Sequence, residues 1–224
     1  MPEVTTIVQN VNTRQTNVIL GEKERVLFGP GFILDTLCGL TFRISSQSFY
    51  QVNATQTEVL YNEAIRLANL TGAETVIDAY CGTGTIGLVA ARRGAARVIG
   101  VDSVPSAIRD AANNARHNGV ENAEFVTQDA TAFMKELEAS EERPQPLVLL
   151  MDPPRAGSAP EFLEAATSLA PERIVYISCN PATQARDVRQ LVESGYEVRA
   201  VRPVDMFPHT DHVESIVLLE KRND

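Results

Sequence analysis

The chain has 224 residues, 44% of them hydrophobic, and a formal net charge of −9; this suits one large domain, or one domain with a small appendage, around a sizeable core. The acidic balance argues against a self-sufficient nucleic-acid binder, which shows a basic face to phosphate, and leaves room only for a local basic cleft. No apolar run approaches the ~20 residues that cross a bilayer, the start lacks the basic and apolar regions of a signal peptide, and Cys38, Cys81 and Cys179 form neither a CxxC pair nor an even framework, so a reduced, cytoplasmic compartment is expected.

The first ~45 residues read as short strands separated by turns. Candidate strands lie at 16–20, 32–37 and 40–44, punctuated by Gly29-Pro30-Gly31 and Cys38-Gly39. Residues 1–45 are too few to hold a core of their own; they read as the remnant of a larger N-terminal part or a cover on the main sheet. From about Asn53 the pattern changes, with Leu60, Ala64 and Leu67 at helical spacing. Strands near 75–78, 97–102, 124–126, 147–151 and 174–177 then alternate with helices near 85–93, 105–117, 130–139, 160–169 and 182–193. Two further strands lie near 196–203 and 213–220. This order predicts an α/β unit over 46–224: a mostly parallel, seven-stranded sheet with helices on both faces.

The first βα turn of that unit reads Asp78-Ala79-Tyr80-Cys81-Gly82-Thr83-Gly84-Thr85-Ile86-Gly87, a G-x-G-x-x-G at a strand-to-helix junction. Gly82 and Gly84 allow a tight turn and close approach of a ligand to the backbone. Asp102 ends the next strand, 18 residues after Gly84, where a carboxylate can accept from ribose hydroxyls. Asp78 just before the glycines would repel a pyrophosphate and suits a cationic ligand, such as the methionine portion of S-adenosylmethionine. Asp129, after the third strand, could meet an adenine amino group. Each acid alone is more often a solvated strand end; three at successive strand ends beside a glycine loop favour a cofactor site.

Three further signals follow along the chain. Asp152-Pro153-Pro154-Arg155 closes the fourth strand, and two prolines make a rigid turn without backbone donors. Its carbonyls and Asp152 can face a planar, hydrogen-bonding substrate such as a nucleobase, although a Pro-Pro pair alone is a plain rigid turn. Ser178-Cys179-Asn180-Pro181 follows the apolar run at 174–177. A lone cysteine is most often a small buried hydrophobe, which is the reading for Cys38; Cys81 has no evident chemical role. The segment from His209 to Glu214 supplies a candidate base. His209, Asp211, His212 and Glu214 could instead bind a metal, but no separate Cys/His cluster accompanies them, so no metal is expected.

Five motifs in order resemble the S-adenosylmethionine-dependent RNA uracil-5-methyltransferases over roughly residues 45–220. They are Ser48-Phe49-Tyr50-Gln51-Val52-Asn53, the Asp78–Gly84 turn, Asp152-Pro153-Pro154-Arg155, Ser178-Cys179-Asn180-Pro181 and the Phe207–Glu214 segment. The resemblance implies a Rossmann-like class I methyltransferase fold. It implies Cys179 as nucleophile and Glu214 as base. It puts Gln51, Tyr80, Thr85, Asp102, Asp129 and Asp152 at cofactor-contact positions. Thr85 stands where relatives often carry asparagine, and Asp102 where some carry glutamate. The resemblance further implies an RNA partner, ribosomal rather than transfer RNA from the Ser48–Asn53 motif, with neither DNA nor membrane. It implies a chain that starts inside the central domain and lacks the N-terminal β-barrel (TRAM) domain and its basic surface.

The chemistry asks for these residue types. Uracil C5 is a poor nucleophile, and thiolate addition at C6 makes an enolate that loads C5 with electron density. A base must then remove the C5 proton so that the cysteine can leave. Two other classes compete: a fragment that holds the cofactor without engaging RNA, and an amine N-methyltransferase, which also uses Asp-Pro-Pro but gives Cys179 and Glu214 no task.

Overall fold

The computed structural model describes residues 3–15, 19–21 and 23–222. Strands β1 (Ile7–Val11) and β2 (Lys23–Phe28) form an antiparallel pair, and β3 (Phe32–Leu37) with β4 (Leu40–Ser45) a second. Helix α1 (Ala54–Ala68) leads into the alternating unit. It runs β5 (Thr75–Ala79), α2 (Thr85–Arg92), β6 (Arg97–Asp102), α3 (Pro105–His117), β7 (Ala123–Thr127) and α4 (Ala130–Ala139). It continues with β8 (Leu147–Met151), α5 (Pro160–Ser168), β9 (Arg173–Ser178), α6 (Pro181–Glu193), β10 (Tyr196–Val204) and β11 (Glu214–Lys221). The seven strands from β5 onward lie in one sheet, in the order β10-β11-β9-β8-β5-β6-β7. Strands β5 to β9 are parallel, and β11 inserts antiparallel to both β9 and β10. This is the doubly wound, Rossmann-like architecture expected. Chain order reverses between β5 and β8, and crevices at such a switch point bind ligands.

The strand expected at 16–20 falls mostly on 16–18, which lie outside the described residues; Ile19 and Leu20 are not in a strand. Strands β1 and β2 were not anticipated. Every residue of β2 is exposed, so no buried face imposes the alternation that makes a strand legible.

Two apolar layers sandwich the sheet. Val76, Val148, Leu150, Val175 and Ile177 pack with α1, α2 and the β3–β4 hairpin, while Ile77, Leu149, Ile174 and Tyr176 pack with α4, α5 and α6. Both faces are covered, which is why β8 is apolar throughout and wholly buried. Among the described residues no helix is long and apolar enough to cross a membrane.

The β3–β4 hairpin has its free edge satisfied by a helix. Asp110, Asn114 and Asn118 recur every fourth residue of α3 and so share one face. The Thr41 and Arg43 N–H groups donate to Asn118 Oδ1 and Asn114 Oδ1, each at 2.8 Å. Asn118 Nδ2 returns a 2.8 Å bond to the Thr41 carbonyl. Asp110 Oδ2 accepts from the hydroxyls of Ser45 at 2.9 Å and Ser48 at 2.8 Å. Asn114 Nδ2 also donates to the Thr83 carbonyl at 3.3 Å, so the clamp reaches the glycine loop. Asn114 is fully buried, so Asn114→Ala leaves two backbone groups without their partner. The expected loss is about 1–3 kcal/mol of stability, read as a lower urea midpoint; an unchanged midpoint would show that the clamp contributes nothing.

Candidate active site

The alternation that buries both faces of the sheet also sorts the polar groups at its carboxyl edge. Asp78 lies two residues beyond Val76, Asp152 two beyond Leu150, Cys179 two beyond Ile177, and Glu214 two before Ile216. All four apolar residues belong to the layer that contains α1 and α2. By a two-residue period the four polar residues share that side. Ser178 pairs with Ser215 across β9 and β11, so Cys179 and Glu214 are the next residues outward on adjoining strands. Gln184 secures that junction: its buried side-chain amide donates to the Tyr176 carbonyl at 2.9 Å and the Ser215 carbonyl at 3.1 Å.

The carboxyls at this edge are held partly against ionisation. Burial pushes Asp78 up to about 7; the Asp102 charge adds to this, and the Gly87 N–H opposes it. Burial pushes Asp152 up to about 8, reinforced by Glu214 and then Asp78. Glu214, only 4% exposed, is also raised by burial, while the Arg155 guanidinium pulls it down.

The glycine turn has three consecutive demands on its backbone. Tyr80, Gly82 and Gly84 all adopt positive φ, at 64°, 53° and 76°. A Cβ on Gly82 would meet nothing within 4 Å, so its surface stays open. A Cβ on Gly84 would lie 2.7 Å from the Phe125 ring, so this glycine lets the loop close on β7. Gly87 lets α2 close on β5: its N–H donates to Asp78 Oδ2 at 2.9 Å, and a Cβ there would sit 2.7 Å from the same oxygen. Asp102 fixes the turn from the neighbouring strand, accepting from Gly82 N–H at 3.0 Å and Val104 N–H at 2.8 Å.

A cleft open at its mouth lies over this turn. It brings together Gln51, Tyr80, Gly82, Thr85 and Asp152, with Asp78 at its base. Asp102, Asp129, Gly84, Cys179 and Glu214 lie outside this lining. Asp102 adjoins it through Gly82. Asp129 is exposed and caps α4, accepting from Ala132 N–H at 3.0 Å. The Thr85 hydroxyl already has a protein partner, the buried Tyr61 hydroxyl at 2.9 Å. Tyr61 carried no signal beyond helical spacing. Asn53 does more than end its motif: it caps α1 through Gln56 N–H and donates to the Met206 carbonyl at 3.1 Å, fixing the Gln51 loop to the segment after β10. His209, Asp211 and His212 are exposed while Glu214 is buried. Among the described residues no group of three or more His, Cys, Asp or Glu is placed to hold a metal ion.

A family model for tRNA (uracil-5-)-methyltransferases matches residues 13–222. The chain belongs to this family. It is 52% identical over 223 residues to an uncharacterized RNA methyltransferase of Halalkalibacterium halodurans, covering 100% of this chain and 48% of that protein. It is likewise 52% identical over 222 residues to one of Lactiplantibacillus plantarum, covering 99% and 48%. The chain thus spans about half the length of the curated relatives it matches. Its fold superposes on the Pyrococcus abyssi tRNA (uracil-54, C5)-methyltransferase, solved with S-adenosyl-L-homocysteine, with a TM-score of 0.80 at 35% identity, covering 96% of this chain and 50% of that one.

The buried carboxyls of this family member have a measurable consequence. Between 3.8 and about 7 the folded chain keeps a proton on Asp78 that the unfolded chain releases. Stability therefore falls as pH rises through that window, and the cost, on the order of a few kcal/mol, is fully present above it. Asp78→Asn keeps an acceptor for Gly87 N–H and removes the titration. Urea midpoints at about pH 5 and about pH 8 should differ less in the variant than in the parent; an identical difference in both would exclude Asp78 as the source.

Proposed function

We propose that this chain is the catalytic part of an S-adenosylmethionine-dependent RNA uracil-5-methyltransferase. Residues 46–224 form the methyltransferase domain in this reading, and 1–45 belong to a central domain. The observation that supports it is the register of β9 and β11: Ser178 pairs with Ser215, and Cys179 and the buried Glu214 are the residues that follow outward in the two segments.

The residues of the cleft fit the cofactor. S-Adenosylmethionine supplies the methyl group as a sulfonium. Gly82 offers an unobstructed backbone surface. Asp78 and Asp152 are carboxyls whose ionisation burial disfavours, and a cation beside them favours their charged form. Gln51, Tyr80 and Thr85 line the same cleft, with Asp102 holding its floor through Gly82 and Asp129 at the adjoining strand end. The Thr85 contribution is through shape and its backbone, because its hydroxyl is bonded to Tyr61.

The Cys179 thiolate forms a bond to C6 of the uracil, and the C5=C6 electron pair moves to the C4 oxygen as an enolate. Collapse of the enolate directs electron density to C5, which would take the methyl group from the sulfonium as the methyl–sulfur bond breaks and its electron pair stays on sulfur as a neutral thioether. Glu214 then removes the C5 proton, the C5=C6 bond re-forms and the C6–sulfur bond breaks. Glu214 suits this task because burial raises its proton affinity while Arg155 keeps that rise in check. Asp152 presents a hydrogen-bonding wall to the base. Ribosomal RNA is the proposed acceptor, in the cytoplasm.

RNA carrying 5-fluorouridine, which lacks the proton Glu214 must take, should trap a covalent complex with the parent chain. Cys179→Ala should abolish it, and a surviving complex would refute the assignment of the nucleophile. With ordinary RNA from unmodified cells, Glu214→Gln should slow turnover by about 100- to 10,000-fold and let the methylated adduct accumulate. Nucleoside analysis of separated ribosomal and transfer RNA identifies the acceptor; methylated adenine or guanine in place of 5-methyluridine would favour an N-methyltransferase. Binding of S-adenosylhomocysteine without transfer to any RNA would favour a cofactor-holding segment that needs the remainder of its longer relatives.

A further inference from the structure

The segment between Asp152 and α5 carries two groups at the site, Asp152 and Arg155, yet makes few bonds within itself. Its one internal backbone bond runs from Gly157 N–H to the Pro154 carbonyl at 2.8 Å. Three of its carbonyls accept from side chains of α6 and its N-cap Asn180. The Arg155 carbonyl accepts from Asn180 Nδ2 at 3.1 Å and Thr183 Oγ1 at 3.0 Å. The Ala156 carbonyl accepts from Arg186 Nη2 at 2.9 Å, and the Ser158 carbonyl from the same nitrogen at 3.4 Å. Positions 180, 183 and 186 step at i, i+3 and i+6, one stripe of a helix.

Asp187 holds this contact from beneath. It is only 2% exposed. Its Oδ2 accepts from Ser158 N–H at 2.8 Å and from the Tyr176 hydroxyl at 2.7 Å, and its Oδ1 from Arg186 Nε at 2.8 Å. Three elements therefore converge on one carboxylate: β9, α6 and the loop. Gly157 shows how closely the loop sits. Its φ is +78°, and a Cβ there would lie 2.5 Å from both Arg186 Nη2 and Asp187 Oδ2. Ser158 then passes the contact on to the cofactor side, where its Oγ accepts from the Tyr80 hydroxyl at 3.3 Å.

We propose that Asp187 is a positioning residue for the reaction: with Arg186 it seats the loop bearing Asp152 and Arg155 on α6, the helix that follows Cys179, so that nucleophile and substrate-facing loop move as one body. The proposal rests on the functional reading above, because only a reaction at Cys179 needs that registry. A carboxylate is required at this position. An amide of the same size would turn N–H groups toward the Arg186 donors, releasing the guanidinium that holds the Ala156 and Ser158 carbonyls. A displacement of about 1 Å at a reacting centre is enough to cost on the order of 100-fold in rate.

The test compares the parent chain with Asp187→Asn by amide hydrogen exchange, by calorimetry with S-adenosylhomocysteine, and by methyl transfer to RNA from unmodified cells. The expected result is exchange at the Gly157 and Ser158 amides faster by about 10-fold or more, S-adenosylhomocysteine affinity within about threefold of the parent, and kcat lower by roughly 10- to 100-fold. Faster exchange with unchanged kcat would overturn the positioning role; unchanged exchange would overturn the seating itself. If Asp187→Asn does not fold, Gly157→Ala asks the same question, since it leaves Asp187 intact and lifts the loop; full activity in that variant also refutes the proposal. A parent chain that methylates no RNA defeats the functional reading instead, and the exchange measurement alone then decides whether Asp187 seats the loop.

Discussion

The constraint on which this structure depends is the double burial of its central sheet. A strand covered on one face can tolerate polar groups on the other. Strands β8 and β9 have no such freedom, because helices cover both sides. Their apolar side chains are committed to one layer or the other along their whole length. Polar groups can then appear only where a strand runs out, and the two-residue period decides which side they take. Asp78, Asp152, Cys179 and Glu214 arrive on one side because Val76, Leu150, Ile177 and Ile216 are packed on it.

The same burial sets the electrostatics of that edge. The Asp78 charge resists ionisation of Asp152, the Asp102 charge that of Asp78, and burial withholds the water that would relieve both. Folding opposes this arrangement, so it persists only because other contacts hold it. The Gly87 N–H on Asp78 is one of these. The Thr85 hydroxyl bonded to Tyr61 is another, fixing the first turn of α2 to α1.

Much of this was legible in the chain. Helices α2 to α6 and every strand of the main sheet were marked by period and by glycine or proline punctuation, with ends within about two residues, and α1 by the spacing of Leu60, Ala64 and Leu67 alone. The candidate residues were legible as motifs, and the parity that gathers four of them is already in the spacing of each polar residue from its apolar neighbour. Strands β1 and β2 were not, because β2 buries nothing and Lys23-Glu24-Arg25 carries no alternation. The contacts that seat one loop on another were hidden for a different reason. Asn114, Gln184 and Asp187 look like ordinary polar residues of amphipathic helices; all three are buried, and each has a backbone partner between 29 and 71 residues away. A side chain that bonds backbone leaves no pattern at the far end, since any residue supplies the same carbonyl or N–H.

The charge balance bears on how such a site meets an anionic polymer. A net charge of −9 gives no general attraction for phosphate, and the arginines near β10 do not offset it. Arg199 is paired with Glu197 and Glu220, and Arg202 and Arg66 with Glu63. A paired cation releases less counterion on meeting a phosphate than a free one, so this face adds little to affinity. Arg155 differs in position: it is exposed beside the cleft, and the charge it tempers is the buried Glu214. Its positive charge acts locally, favouring the ionised form of Glu214, rather than as part of a general attraction for anions.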